Sequence, residues 1–244
     1  CQDYDIECFN ISIEEFENAM MHLGAEGVGK NFFVYKFHNL DISLPRKETK
    51  TGKGHKGFHV MLASGEREAS RRRDFTINAL MYDIEKEQIL DFWSGLEDLR
   101  QKHVKVVDEK SFAEDSLRVL RAMQFAARLG FKVEKKSCNL CQNISLKDLP
   151  KERIFLEFEK MFKGTHLHHG LYYLFALGIA KKLFNEEIDQ KTFISWSKEL
   201  QRAQLYFQDA LRPYYFLFIA RKYLKTDIEQ VLKIVGAPKC YHKK

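Results

Sequence analysis

Residues 111–131 read SFAEDSLRVLRAMQFAARLGF, and their apolar residues recur at the spacing of an amphipathic helix. We predict one helix from about Phe112 to Leu129, which Ser111 and Glu114 begin as a capping box. One side of this helix is apolar and carries Ala113, Leu120, Met123 and Ala127. The stretch therefore predicts a helix with one side buried.

The opposite side of this helix carries a polar ridge. Asp115, Arg118 and Arg121 follow one another at spacings of three residues. Asp115 can only accept hydrogen bonds and Arg118 can only donate them, so the pair matches a base edge with an amino group beside an unprotonated ring nitrogen. Cytosine and adenine present that edge. The alternative is a surface ion pair, with Asp115 placed favourably in the first turn of a helix.

The chain changes character on either side of this helix. Before it, residues 3–9 alternate as a strand, and Ser12 with Glu15 forms a capping box for a helix. FFVYKF and LDISL are strand-like runs joined by His38 and Asn39, which predicts a hairpin. The fold class that this order predicts is α+β.

Three segments follow from the change in periodicity, which is helical from about Gly95 onward. We expect a mixed head at 1–95, a helical neck with the ridge-bearing helix at 96–164, and a helical body at 165–244. Within the head, residues 47–57 are rich in glycine and lysine and predict a mobile basic loop.

Composition limits the class of protein. The chain has 244 residues with 45% hydrophobic content, which suffices for a buried core. A formal net charge of +6 favours a polyanionic partner without proving one. The five cysteines are scattered, which favours a reducing compartment, and no apolar run is long enough to approach a membrane span. We therefore expect a cytoplasmic protein.

Acidic residues near the start of the chain are candidates for metal binding. Asp3 and Asp5 lie two apart on the predicted strand, so their side chains share a face about 7 Å apart. Two such carboxylates can hold Mg²⁺ ions that bind triphosphate oxygens, whereas the alternative is an exposed acidic edge strand. Asp41 begins the second hairpin strand and could complete the acidic cluster.

A second candidate segment is RRRDFTINALMYD, from Arg71 to Asp83. Guanidinium groups suit phosphates because they make bidentate charge-assisted hydrogen bonds, and Asp74 could accept from a ribose hydroxyl. Thr76 and Asn78 offer neutral hydrogen bonds nearby. The arginines could instead face solvent or pair with neighbouring glutamates.

These segments, in this order, resemble the bacterial class II tRNA nucleotidyltransferases, the CCA-adding enzymes, and their poly(A) polymerase relatives. The resemblance covers residues 3 to about 162. The stretches that carry it are DYDIE, LDISLPRKETKTGKGHKGF, RRDFTINAL, DFWSGLEDL, EDSLRVLRAMQFAARLGF and KERIFLEFEKMF.

The resemblance implies a palm-like head followed by a helical neck and body, with Mg²⁺ as cofactor. It implies CTP and ATP as substrates and the tRNA 3′ end as partner, and it leaves the oligomeric state open. The implied roles are metal binding for Asp3 and Asp5, a further catalytic carboxylate at Asp41, phosphate and ribose binding for Arg73 and Asp74 with Asn78 beside them, base reading for Asp115 and Arg118, and nucleotide support for Arg121.

The chain departs from the family pattern in places. Gln124 stands where relatives commonly carry an arginine, which weakens one nucleotide contact. No glycine-glycine loop precedes the Asp-x-Asp strand, so we expect an N-terminal segment to be missing, and the body is short. A poly(A) polymerase, a CC-only or A-only enzyme, and a catalytically silent RNA-binding relative stay open as alternatives.

Two weaker signals lie in the helical part. Residues 166–169 read HLHH, and we interpret these histidines as a surface or helix-start cluster rather than a metal site. Cys138 and Cys141 form a single CxxC, to which we assign no role.

Overall fold

Backbone contacts divide the chain into two units. A computed structural model describes residues 4–28, 33–50, 58–207 and 212–242. Unit 1 is Cys1–Arg73 and unit 2 is Asp74–Lys244. The division precedes the boundary predicted near residue 95, because Phe75 is fully buried among unit 2 side chains and packs its ring against Phe112 and Phe125.

Unit 1 contains a four-stranded sheet in the order β1-β4-β3-β2. β1 pairs in parallel with β4, and the other pairs are antiparallel. The hairpin predicted at His38 and Asn39 is confirmed as the β3–β4 turn, in which His38 has a positive φ of 53°. The strands are β1 (Tyr4–Glu7), β2 (Glu26–Gly27), β3 (Val34–Phe37) and β4 (Leu40–Ser43).

One helix covers one face of this sheet. Helix α1 (Ile13–Leu23) begins with the predicted capping box, in which the Ser12 hydroxyl accepts from the Glu15 N–H at 3.2 Å. Its Phe16 and Met20 side chains pack with Ile42 in the core of unit 1. Since side chains alternate along a strand, the β4 residue before Ile42 points to the opposite face, away from α1.

The predicted basic loop is partly strand. β5 (Arg46–Lys50) pairs antiparallel with β6 (Phe58–Leu62), and α2 (Glu66–Arg71) follows. The prediction of a loop over 47–57 is therefore wrong for residues 47–50, and residues 51–57 lie outside the described part of the chain. Backbone hydrogen bonds between paired strands can hold a hairpin strand that has no apolar face. Because residues 47–50 are polar, they show no apolar alternation from which a strand could have been predicted.

Unit 2 is mostly helical. It opens with a 3-10 turn at Thr76–Asn78, and the pairs β7–β8 and β9–β10 are two-stranded. Its strands are β7 (Met81–Asp83), β8 (Gln88–Leu90), β9 (His103–Val104) and β10 (Lys132–Val133). Its helices are α3 (Gly95–Arg100), α4 (Glu109–Glu114), α5 (Leu117–Leu129), α6 (Lys135–Asn143), α7 (Lys151–Phe162), α8 (Leu167–Ala176), α9 (Ile179–Phe184), α10 (Gln190–Tyr206), α11 (Arg212–Ala220) and α12 (Ile228–Val235), with a last 3-10 turn at Lys239–Tyr241.

The helix predicted over Phe112–Leu129 is two helices. α4 ends before Asp115, whose backbone is extended (φ −119°, ψ 102°), and α5 starts two residues later. The cap of α4 is Asp108, which accepts from the Ser111 N–H at 2.9 Å, so the predicted capping box at Ser111 is also wrong. The Asp115 carboxylate accepts from the Leu117 N–H at 3.0 Å, which favours a new start over a continuous helix.

Helix α5 runs through the core of unit 2 and is buried on more than one side. Val119, Ala122 and Ala126 are buried along with the predicted Leu120 and Met123, because α7 and α8 both pack on α5. The predicted Ala127 is buried too, whereas Ala113 lies on α4 and is exposed.

The aromatic residues of the helical part divide between core and surface. Tyr173, Tyr215 and Phe216 are buried, whereas Tyr206 and Phe218 are largely exposed. Within the described ranges, the helices are all too short or too polar to cross a membrane.

Candidate functional site

The face of the unit 1 sheet away from α1 is acidic. Asp5 on β1 and Asp41 on β4 are register partners in neighbouring parallel strands, so their side chains point the same way. Asp5 is exposed, and the Asp41 side chain is 40% exposed. Lys36 of β3 lies opposite Asp41 and its Nζ approaches the carboxylate at 3.3 Å. Asp3, the other predicted catalytic residue, lies outside the described residues.

The chemistry of this face suits a hard cation. Adjacent strands lie about 4.8 Å apart, so two in-register aspartates offer carboxylate oxygens of the kind that Mg²⁺ prefers. Among the residues that the structure describes, no group of three His, Cys, Asp or Glu side chains is arranged around a common point. Asp5 and Asp41 are thus the described residues on this face that could hold a metal, with Asp3 two residues before Asp5.

A third acidic residue on the same face binds two arginines. Glu7 follows Asp5 by two residues, and its side chain is only 6% exposed. One carboxylate oxygen accepts from Arg72 Nη2 at 2.6 Å and from Arg73 Nη2 at 3.1 Å. Arg73, the residue expected to bind phosphate, is thereby attached to the strand that carries Asp5. Sequence reasoning missed Glu7, although the alternation Asp3, Asp5, Glu7 was a signal for it.

Asp74 lies at the centre of a second cluster, in unit 2. Its side chain is 3% exposed and forms an ion pair with Arg121 Nε of α5. The other carboxylate oxygen accepts from Asn78 Nδ2 at 2.6 Å and from the Phe75 N–H at 3.1 Å. Three residues that the sequence assigned to nucleotide binding, Asp74, Asn78 and Arg121, are therefore brought into direct contact.

The predicted Asp115–Arg118–Arg121 ridge is rearranged because Asp115 is not helical. Arg118 Nη1 donates to the Ser111 carbonyl at 2.7 Å, and Asp115 accepts from Arg153 Nη2 of α7 at 3.0 Å. The three residues therefore do not form one helical row. Asp115 instead lies in the link before α5, one turn from Arg118, whose N–H donates to the Asp115 carbonyl at 3.1 Å.

Helix α7 carries a buried carboxylate beside this cluster. Glu157 is 3% exposed and accepts from Lys160 Nζ at 2.8 Å, and its second oxygen has no hydrogen-bond partner among the described residues. Burial acts to lower the pKa of Arg121, but the carboxylates of Asp74, Glu157 and Asp115 outweigh it and raise the pKa above its ordinary value. Arg121 is therefore a permanent cation in this environment.

The two weaker signals have plain structural settings. His166 caps α8, and His168 and His169 lie in its first turn, which confirms the interpretation as a helix-start cluster. Burial raises the pKa of Cys138 to about 11 and that of Cys141 to about 12. Both thiols are protonated at neutral pH and are poor nucleophiles.

Two protein families match the chain, and the first match extends past Arg73, where backbone contacts divide the chain. Residues 2–105 match the poly A polymerase head domain, and residues 130–191 match the probable RNA and SrmB-binding site of polymerase A.

Curated relatives match the chain over part of their length. The chain is 38% identical over 147 residues to the CCA-adding enzyme of Lactococcus lactis subsp. lactis (strain IL1403), covering 59% of this chain and 37% of the relative. It is 38% identical over 179 residues to the multifunctional CCA protein of Pasteurella multocida (strain Pm70), covering 68% of this chain and 42% of the relative. The chain thus spans less than half of the length of these relatives.

Solved structures have the same fold. A tRNA-processing enzyme in its apo form 2 aligns with a TM-score of 0.71 at 22% identity, over 100% of this chain and 71% of that one. A tRNA nucleotidyltransferase complexed with a primer tRNA and an incoming ATP analog aligns with a TM-score of 0.68 at 21% identity, over 98% and 73%. With the head and RNA-binding matches in order along the sequence, the chain belongs to the family of CCA-adding tRNA nucleotidyltransferases and bacterial poly(A) polymerases.

Proposed function

We propose that this protein adds CMP and AMP, from CTP and ATP, to the 3′ end of tRNA and releases pyrophosphate. The observation that carries the proposal is the in-register pair Asp5 and Asp41 on neighbouring parallel strands, in a chain whose relatives are CCA-adding enzymes. In this reaction the tRNA 3′-hydroxyl attacks the α-phosphorus, a phosphodiester bond forms, and the bond to pyrophosphate breaks.

The acidic face would serve the reacting groups. Asp3, Asp5 and Asp41 would hold Mg²⁺, which when bound neutralises phosphate charge and favours ionisation of the 3′-hydroxyl. Asp41, the register partner of Asp5, would accept the hydroxyl proton. Arg73 would bind the triphosphate through the guanidinium nitrogens not used for Glu7.

The unit 2 cluster would recognise the nucleoside. Asp74 would accept from a ribose hydroxyl while Asn78 and Arg121 fix its orientation. Asp115 already accepts from Leu117 and Arg153, and a carboxylate has about four lone-pair positions, so it can also accept from a base amino group. Arg118 would donate to the ring nitrogen beside that amino group, which selects cytosine and adenine.

The catalytic role of the acidic face is tested by Asp5→Ala. We expect incorporation of labelled CMP and AMP to fall at least a thousandfold while tRNA binding changes less than about twofold. Glu14→Ala, an exposed acidic change on α1, is the matched control and should retain activity. Turnover by Asp5→Ala close to that of the control would contradict the proposal.

The base-reading role is tested by Asp115→Ala and Arg118→Ala. Each should relax the choice among the four nucleoside triphosphates more than it weakens triphosphate binding, because within the bound nucleotide it is the base edge, and not the phosphates, that loses a partner. Incorporation is measured with each triphosphate alone and in competition. If both variants kept the unaltered preference for CTP and ATP, these residues would not read the base.

The related activities are separated by product length. On a tRNA that ends at the discriminator base, a CCA-adding enzyme stops after three nucleotides, a CC-adding enzyme after two, and a poly(A) polymerase continues with ATP alone. We expect a three-nucleotide product, resolved on a sequencing gel.

A further inference from the structure

Glu7 connects the acidic face of the sheet to the arginines that follow α2. It lies two residues after Asp5 on β1, and side chains at this spacing share a face at about 7 Å. Its carboxylate accepts from both Arg72 and Arg73, at 2.6 and 3.1 Å. Nothing in the chemistry proposed above uses Glu7 directly, and its side chain is 6% exposed.

The charges around Glu7 are unequal. One carboxylate faces two guanidinium groups, so the cluster of Glu7, Arg72 and Arg73 keeps a net positive charge. Arg73 is the more exposed of the two arginines, with 32% of its side chain accessible against 21% for Arg72. A buried anion that binds one nitrogen of each guanidinium fixes both side chains, and Arg73 still presents other N–H groups.

Resting on the proposed function, we propose that Glu7 is a positioning residue that holds Arg73 at a fixed distance from Asp5. A triphosphate bound by Arg73 then presents its α-phosphate next to the carboxylates of β1 and β4. Both ends of this arrangement are attached to β1, which pairs in register with β4 over Tyr4–Glu7, so Asp5 and Glu7 are supported by the same ladder.

A purely electrostatic role for Glu7 predicts the opposite effect. Removal of its negative charge makes the surroundings of Arg73 more positive, which would strengthen binding of a polyanionic triphosphate. Positioning predicts weaker binding, because Arg73 then has to be ordered by the ligand itself. The direction of the change in affinity therefore distinguishes the two roles.

The experiment compares four proteins: unaltered, Glu7→Gln, Arg73→Gln and the double variant. Dissociation constants for CTP and ATP are measured with Mg²⁺ present, and kcat and KM with a tRNA lacking its 3′ end. We expect Glu7→Gln to raise both dissociation constants about tenfold, with CTP and ATP affected alike. The double variant should bind no more weakly than Arg73→Gln alone, since Glu7 acts through Arg73. Glu14→Gln on α1 is the charge-matched control.

Each other outcome has a stated meaning. Unchanged or tighter triphosphate binding by Glu7→Gln overturns the proposal, and so does a double variant whose loss of affinity is the product of the two single losses.

Circular dichroism and urea unfolding report whether Glu7→Gln is folded. If it is not, Arg73→Gln, which keeps the carboxylate, decides: triphosphate binding equal to that of the unaltered protein overturns the proposal. If the unaltered protein binds neither CTP nor ATP, the proposed function fails as well, whereas failure of the Glu7 prediction in an active enzyme leaves that function intact.

Discussion

Asp74 and Arg121 form an ion pair that is nearly closed to solvent on the carboxylate side. Asp74 is 3% exposed and its two oxygens are taken by Arg121, Asn78 and the Phe75 N–H. A buried carboxylate keeps its charge only if it is paired and hydrogen-bonded, and Asp74 meets both conditions. The same contacts that orient Asp74 for a ribose hydroxyl therefore also stabilise the start of unit 2.

Removal of one partner of this pair should be costly. Arg121→Met keeps much of the side-chain volume but leaves Asp74 as an uncompensated buried charge, and we expect a loss of about 3 kcal/mol of unfolding free energy. Urea unfolding followed by tryptophan fluorescence measures it, since both tryptophans, Trp93 and Trp196, lie in unit 2. Arg128→Met, an exposed change on the same helix, should cost less than 0.5 kcal/mol. Equal stabilities of the two variants would show that the pair contributes little.

Gln124 is a polar residue in an apolar position. It is 1% exposed on α5, and its Oε1 has no hydrogen-bond partner among the described residues. We predict that Gln124→Met stabilises unit 2 by about 1 kcal/mol, because it removes a buried acceptor at nearly constant volume. The fluorescence-detected urea midpoint should rise. A lower midpoint would mean that the amide makes a contact that offsets its burial.

At this scale the sequence predicted residue types better than residue contacts. Asp5, Asp41, Asp74 and Arg121 could be proposed because carboxylates and guanidinium groups in those motifs suit metals and nucleotides. Glu7 was missed because its role depends on Arg72 and Arg73, which lie about sixty-five residues away in sequence. A contact between residues so far apart in the sequence leaves no local sequence pattern from which it could be predicted.

Among the elements, the link between α4 and α5 shows what periodicity cannot resolve. Residues 109–129 keep helical spacing across Asp115, but Asp115 is extended and accepts from the Leu117 N–H. Asp and Ser side chains compete for backbone N–H groups, so Asp115-Ser116 can restart a helix without changing the apolar pattern. Because of this break, Asp115 does not lie in one helical row with Arg118 and Arg121, and its carboxylate accepts from Arg153 of α7.

Close packing of α8 on its neighbours depends on Gly170. A Cβ added there would come within 2.8 Å of Met161 Cγ on α7 and 2.9 Å of Ala127 Cβ on α5. Gly170→Ala gains up to about 1 kcal/mol of helix propensity, but overpacking of a core costs about 1–3 kcal/mol. Because the Ala127 methyl cannot move aside, we expect a net loss of about 1 kcal/mol in urea unfolding. A more stable variant would show that α5 and α8 can separate at no cost.

The histidines at the start of α8 should make unit 2 sensitive to acid. Burial, and then the neighbouring histidines, lower the pKa of His168. The pKa of His169 is lowered as well, mainly by burial and further by the charges of His166 and Lys132. The hydrogen bond with the Phe131 carbonyl acts in the opposite direction and raises this pKa, but it does not outweigh them. Since the folded-state pKa values are below the unfolded value of about 6.5, the neutral rings stabilise the fold fully above that pH, and stability falls as the pH drops below it.

The acid sensitivity is measured as unfolding free energy between pH 7.5 and 5, followed by tryptophan fluorescence. His168→Gln with His169→Gln should flatten the decline, whereas His22→Gln on the exposed side of α1 should not. The same decline in all three proteins would assign the effect to other groups.

In the whole molecule, the order of a mixed sheet followed by helices was predictable, because strand alternation and helical periodicity change along the sequence. The head boundary near residue 95 stays a prediction, because backbone contacts divide the chain after Arg73 whereas the family match to the head extends to residue 105. Residues 74–94 read as part of the head, yet Phe75 packs against Phe112 and Phe125, and contacts of this kind depend on tertiary structure alone. The helical periodicity therefore starts about twenty residues after the second unit does.

The two units should differ in local stability. Among the residues that the structure describes, the apolar cluster of unit 1 contains four buried side chains, Phe16, Met20, Ile42 and Leu44, whereas unit 2 buries a much larger cluster around α5, α7 and α8. Because opening free energy rises with the apolar surface that opening exposes, amides of β1, β4 and α1 should exchange with deuterium at least tenfold faster than those of α5. Hydrogen exchange followed by mass spectrometry measures both sets in one sample. Mg²⁺ with CTP should slow exchange in β1 and β4 more than in α10, since binding stabilises the elements that carry the carboxylates. Equal protection of the two units without ligand would mean that they open together as one cooperative structure.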